Sequence, residues 1–201
     1  RKLIGPAGSV GDTTALLKEF WRESPEDRRK ALLPFFWSTI ATEGQIFGNP
    51  AKGSAGTVTN GLKFSYPGYN EMILGAADAR INSNSYGPNP NVSVFEWLNS
   101  KPAYRGHVAA LATWDAFRDI FNARRSGIDV RDGWDPPFAS PRGERQALIN
   151  EFFRTTTRLW GDNALDVLTH QALLEYVRTS APRVLFVGYG ETDEWAHAGR
   201  Y

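Results

Sequence analysis

Two groups of residues carry the chemistry this chain can offer. The first is Asp193-Glu-Trp-Ala-His197, a carboxylate and an imidazole four residues apart. On a helical turn that spacing puts both side chains on one face, with Cβ atoms roughly 5–6 Å apart, so both can reach a single divalent cation. Such a pair is half a metal site and needs at least one further ligand. The same spacing also arises on helices with no metal, as a surface carboxylate beside an imidazole. Glu191 and Glu194 add negative charge that a cation would offset and that water would solvate equally well. The second group centres on Ser65 in Phe64-Ser-Tyr-Pro-Gly68, just ahead of an expected helix N-terminus, where backbone N–H groups and the helix dipole favour an anion. A serine hydroxyl is a poor nucleophile at neutral pH until a base or a metal activates it. Its alternative role here is to cap the helix.

The elements that must position these residues follow from periodicity and punctuation. Thr13–Glu23 and Pro25–Thr42 read as two helices, with Ser24 as N-cap and Pro25 in the first turn. Gly44–Gly61 turns to Gly, Asn, Ser and Thr and reads as a long loop around one short strand. Phe64–Glu71 leads into the apolar Met72-Ile-Leu74, a short helix ended by Gly75, and Asp78–Asn91 is a second loop. Val92–Asn99 reads as a helix, His107–Thr113 as a strand buried on both faces, and the region near Asp115–Asn122 as another helix. Gly127–Pro141 is a polar, proline-rich connection. Arg142–Thr179 has long helical periodicity broken at Gly161-Asp-Asn163, and Val184–Val187 closes as a further buried strand. This alternation predicts one α/β domain over residues 1–201 with a largely parallel sheet. Sites in such sheets gather at the carboxyl ends of strands, which is where Asp193 and His197 fall.

Composition narrows the function classes. The chain has 201 residues, 41% of them apolar, and a formal net charge of +1 with no long run of one sign, so no electrostatic footprint for nucleic acid or an acidic membrane is present. It has no cysteine, which excludes disulfides, thiolate metal sites and a cysteine nucleophile. No apolar run reaches the roughly 18–20 residues of a membrane span. The seven Trp, seven Tyr and twelve Phe fit a well-filled core better than a sugar-binding surface. Further candidates have structural readings that serve equally: His107 opens a strand, His170 lies in a helix, and Asp115 caps the helix that follows Trp114. Arg124-Arg125 forms a solvated helix end or, like Arg200, grips a phosphate.

A set of motifs carries a resemblance. Lys63-Phe-Ser-Tyr-Pro-Gly-Tyr-Asn-Glu-Met-Ile-Leu-Gly75, Arg80-Ile-Asn-Ser-Asn84, Asn89-Pro-Asn91 and Glu191-Thr-Asp-Glu-Trp-Ala-His-Ala-Gly199 together resemble the alkaline phosphatase superfamily, in its bacterial phosphatase, phosphodiesterase and sulfatase-like branch. Arg28–Trp37 and Thr113–Gly127 fit the same branch, so the resemblance spans most of the chain. It implies a three-layer α/β/α sandwich. It implies that Ser65 is the nucleophile accepting the phosphoryl group, that Asn84 holds a phosphate oxygen, with Asn82 and Asn91 competing for that role, and that Asp193 and His197 ligate one zinc of a two-metal site, manganese or magnesium being alternatives. It further implies a metal-dependent phosphatase or phosphodiesterase acting on a small-molecule phosphate ester, with no nucleic-acid or membrane partner, exported to the periplasm or secreted. The superfamily also has a metal-binding Asp at the end of a first strand and a downstream Asp-His and second His. This chain, opening on Arg1-Lys-Leu-Ile-Gly5 and closing on Tyr201, shows no counterparts, so the expectation is a chain holding part of that site. The alternative functions are a catalytically incomplete scaffold or binding domain of the same fold, and a phosphoryl-transferring mutase or transferase.

Overall fold

The computed structural model describes residues 13–199, and the expectations about Arg1–Gly5, Arg200 and Tyr201 lie outside them. The described residues divide into two compact units, 13–57 with 195–199, and 58–194.

The first unit is helical. Helix α1 is Thr13–Phe20 and α2 is Pro25–Leu32. Ser24 caps α2 as its sequence predicts, its hydroxyl accepting the Asp27 N–H at 3.2 Å. The single helix expected over Pro25–Thr42 is broken at Leu33, which sits at φ −133° and ψ 70°. Pro34 causes the break, because its ring excludes helical geometry from the preceding residue. Helical backbone resumes in a π-turn over Phe36–Ile40 and in α3, Ala41–Glu43. From Gly44 to Gly61 the backbone forms one 3₁₀ turn, Pro50–Lys52, and no strand. The short strand expected there does not form, and at the end of the segment the Thr59 and Asn60 N–H groups go to the Glu71 carboxylate at 2.6 and 3.1 Å.

The second unit is built on a parallel sheet. In chain order it contains α4 (Ser65–Leu74), α5 (Val94–Asn99), β1 (Val108–Ala112), α6 (Phe117–Ile120), α7 (Ala123–Ser126), β2 (Asp129–Asp132), α8 (Glu144–Thr155), α9 (Asp166–Ser180) and β3 (Val184–Gly188). Helix α10, Glu191–His197, follows β3. The sheet order is β2-β1-β3, with both pairings parallel. Strand β1 is buried at every position. Its Val108, Ala110 and Ala112 join Tyr66, Phe117 and Phe121 on one side of the sheet, while Ala109 and Leu111 join Phe153, Ala172 and Tyr176 on the other.

The apolar run predicted for β1 is thus satisfied on both faces. Strand β3 departs from expectation. Val184–Val187 are half-buried and only Gly188 is fully buried, because β3 lies at an edge of the described sheet. Strand β2 falls inside the connection Gly127–Pro141, where no strand is expected; its pairing with β1 sets its conformation. The fold among described residues is therefore α/β with a three-stranded parallel sheet.

Candidate functional site

Ser65 occupies the first helical position of α4, and Phe64, with φ −120° and ψ 143°, takes the N-cap position. The reading of Ser65 as the cap therefore fails, since a cap residue must stand outside the helix with extended backbone. Phe64 has no side-chain oxygen to offer the first turn. That service comes from the loop after α4: Asn84 Oδ1 accepts the Tyr66 N–H at 2.9 Å. The structure thus brings Asn84 against the residue next to Ser65. Asn84 is exposed and Ser65 half-buried, so both are within reach of a ligand. Of the competing asparagines, Asn91 gives its amide to Asp78 at 2.7 Å and to Asn70 at 3.3 Å, and Asn82 is exposed. Hydrogen bonds from Arg80 and Asn91 hold the Asp78 carboxyl far below the usual carboxylate range.

The register of α4 is fixed at both ends. The Tyr66 hydroxyl is buried and donates to the Gly87 and Asp119 carbonyls at 2.6 and 3.1 Å. Burial, followed by the Asp119 charge, drives its pKa strongly upward, so it stays a neutral donor. At the other end Gly75 adopts φ 83°, a left-handed conformation suited to glycine, and donates its N–H to the Glu71 carbonyl at 2.8 Å. The Glu71 carboxylate, only 8% exposed, accepts from the backbone and side chains of Thr59 and Asn60 and so anchors the approach to Ser65.

The turn after β3 is held as tightly. Asp166 Oδ1 accepts the N–H groups of Gly190 and Glu191 at 2.9 and 3.2 Å, and Glu191 Oε1 accepts the Asp166 N–H at 2.7 Å. Asn163 donates to Glu194 Oε1 at 2.6 Å while its own oxygen accepts from the Thr113 hydroxyl at 3.2 Å. Glu191 and Glu194 are therefore acceptors engaged within the fold. A Cβ at Gly190 would lie 2.6 Å from Thr113 Oγ1 and 2.7 Å from Asn163 Oδ1, which accounts for the glycine.

Asp193 and His197 both lie on α10 and are both exposed. The Tyr69 hydroxyl is pushed up first by burial and then by the negative charge of Asp193. Tyr69 stands four residues after Ser65 on α4. Among the described residues, no group of three or more His, Cys, Asp or Glu converges as a metal site would require.

The remaining candidates take structural places. His107 is exposed ahead of β1, and its carbonyl accepts the Arg183 and Val184 N–H groups at 2.8 and 3.1 Å. His170 Nδ1 meets the Tyr189 hydroxyl at 2.7 Å. Arg125 is not the solvated helix end expected: it forks onto Glu96 at 2.9 and 2.7 Å and donates to the Asn89 and Asn91 carbonyls. Asp115 does not cap α6, whose N-cap is Ala116; burial and the Asp162 charge raise its carboxyl pKa. Sequence reasoning missed Glu71, Thr113, Asn163 and Asp166. Only the turn signal at Gly161-Asp-Asn163 pointed to one of them. In comparisons with known proteins, no family model, no curated protein and no solved structure matches this chain.

Proposed function

We propose that the chain is part of a metal-dependent hydrolase of phosphoric esters, a phosphatase or phosphodiesterase of alkaline phosphatase type with a three-layer α/β/α sandwich. The observation that carries this reading is the meeting of Ser65, at the first position of α4, with Asn84, whose amide oxygen binds the neighbouring Tyr66 N–H at 2.9 Å. Ser65 Oγ attacks phosphorus, the ester oxygen leaves as the alcohol, and water then releases phosphate from the phosphoserine. During attack, the positive end of the α4 dipole and an Asn84 amide hydrogen stabilise the negative phosphoryl oxygens.

The donor set suits a cation: a carboxylate and an imidazole, both exposed, at helical spacing on α10. Asp193 and His197 would hold zinc, with manganese or magnesium as alternatives. A metal bound there supplies positive charge that lowers the pKa of the serine hydroxyl and neutralises the phosphate. Glu191 and Glu194 each give one carboxylate oxygen to the fold, and a complete site needs ligands beyond Asp193 and His197. The expected substrate is a small phosphate ester, and the resemblance favours an exported protein.

The test is turnover of a nitrophenyl phosphate ester with added zinc. The account expects turnover in the protein that carries the complete metal site and at least a thousandfold loss in its Ser65→Ala variant, the order seen when a catalytic nucleophile is removed. Full turnover in Ser65→Ala sinks it. A second reading, a scaffold of the same fold that binds a ligand without turnover, is favoured by the absence of a three-ligand group among the described residues. Zinc that fails to bind the purified chain would select that reading.

A further inference from the structure

Away from the Ser65 region, β2 and α9 enclose a small cavity with an unusual wall. Arg131 is pinned through Nε and Nη2 to Asp129 at 3.2 and 2.9 Å, and its guanidinium stacks 4.4 Å from the Tyr176 ring and 5.0 Å from the Phe138 ring. That arrangement leaves Nη1 buried and without a protein partner. Thr169 on α9 is 3% exposed, and its hydroxyl also lacks a partner. Both residues line one cavity of about 10 Å³, together with Leu111, Phe153, Ala172 and Asp132. Buried hydrogen-bonding groups are almost always satisfied by protein or by ordered water, so two orphans on residues that line one cavity point to one cause.

We infer that this cavity is a binding site for one ordered water molecule that bridges Arg131 and Thr169. Its volume matches a single water, for which about 10–15 Å³ is needed. Larger ligands do not fit. The guanidinium in the wall repels a cation, and a cavity of about 10 Å³ is too small for a polyatomic anion. Arg131 Nη1 donates to the water oxygen, and one water hydrogen goes to Thr169 Oγ1. The cavity lies beside bulk solvent, since Arg131, Asp132, Asp135 and Pro137 also line an open cleft of about 500 Å³. The water ties the first turn of α9 to the carboxyl end of β2, a join that no direct side-chain bond between Thr169 and Arg131 supplies.

A crystal structure that resolves ordered solvent tests this on the unaltered chain. Density within about 3.2 Å of both Arg131 Nη1 and Thr169 Oγ1 is expected; a dry cavity overturns the inference. Magnetic relaxation dispersion of water provides an independent count. Thr169→Val, which removes the hydroxyl at nearly constant volume, is expected to lose one long-lived water relative to the native chain, and Thr169→Ser to keep it. An unchanged count in Thr169→Val overturns the bridging role. Should the valine variant not fold, the native density decides alone.

Discussion

Asn84 has two separable jobs, and two substitutions tell them apart. Its Oδ1 caps α4 through the Tyr66 N–H at 2.9 Å, and the proposed mechanism uses its amide hydrogens on a phosphoryl oxygen. Asn84→Ala removes both. Loss of a cap costs about 0.5–2 kcal/mol, and because Asn84 is exposed, water partly replaces it, so about 1 kcal/mol is expected. For a chain of this size that lowers Tm by about 2–4 °C. Asn84→Asp keeps an oxygen for Tyr66 and adds negative charge at the positive end of the helix, so stability should stay within about 0.5 kcal/mol of the native chain. The same change replaces the amide donor with an acceptor. A hydrogen bond to a charged group contributes about 1.5–3 kcal/mol, which is about 10- to 150-fold in kcat/KM, and repulsion between carboxylate and phosphate adds to that loss. Denaturant unfolding and turnover of a nitrophenyl phosphate ester, measured on the three proteins, form the assay. If Asn84→Asp is as unstable as Asn84→Ala, the capping argument fails; if it retains full turnover, the substrate-binding argument fails.

Other substitutions report on the frame around the site. Gly190→Ala places a Cβ 2.6 Å from Thr113 Oγ1 and 2.7 Å from Asn163 Oδ1. It should destabilise the chain by about 1–3 kcal/mol, the usual range for overpacking, read as a lower denaturation midpoint at unchanged slope; an unshifted midpoint would contradict the geometry. Glu175, 2% exposed, has its carboxyl pKa lowered from the ordinary 4.5 by hydrogen bonds from Arg178 and Gln146 and by the charges of Arg178 and Arg145. A lowered folded-state value means its stabilising contribution is complete above the unfolded value and is lost as pH falls through the folded one. Stability measured from about pH 6 down to pH 3 should therefore fall less steeply in Glu175→Gln than in the native chain, and parallel curves would refute the assignment.

The sequence discloses elements whose cause is local and hides those whose cause is distant. Val108–Ala112 is apolar at every position because both faces are covered, and a continuous apolar run is a signal that needs no partner to be read. Asp129-Val-Arg-Asp132 carries no such signal. It is a strand because β1 supplies its hydrogen bonds and because Arg131 is covered by Asp129, Tyr176 and Phe138, which are contacts made by folding. Helix α4 was legible from the loop chemistry before it and from Gly75 after it. The identity of its cap was not, because Asn84 lies 18 residues from Tyr66. Glu191 and Glu194 showed the same limit. Their charge suggested a cation, and only their bonds to Asp166 and Asn163, across 25 and 31 residues, reveal their structural use.

The central claim is that Ser65 accepts a phosphoryl group, and trapping that adduct tests it most directly. The protein that carries the complete metal site is incubated with zinc and a phosphate ester, quenched in acid, digested and mapped by mass spectrometry. The account predicts phosphoserine at residue 65, absent from Ser65→Ala and diminished in Asn84→Asp. Turnover without any adduct on the peptide carrying Ser65, or an adduct at another residue, would contradict it.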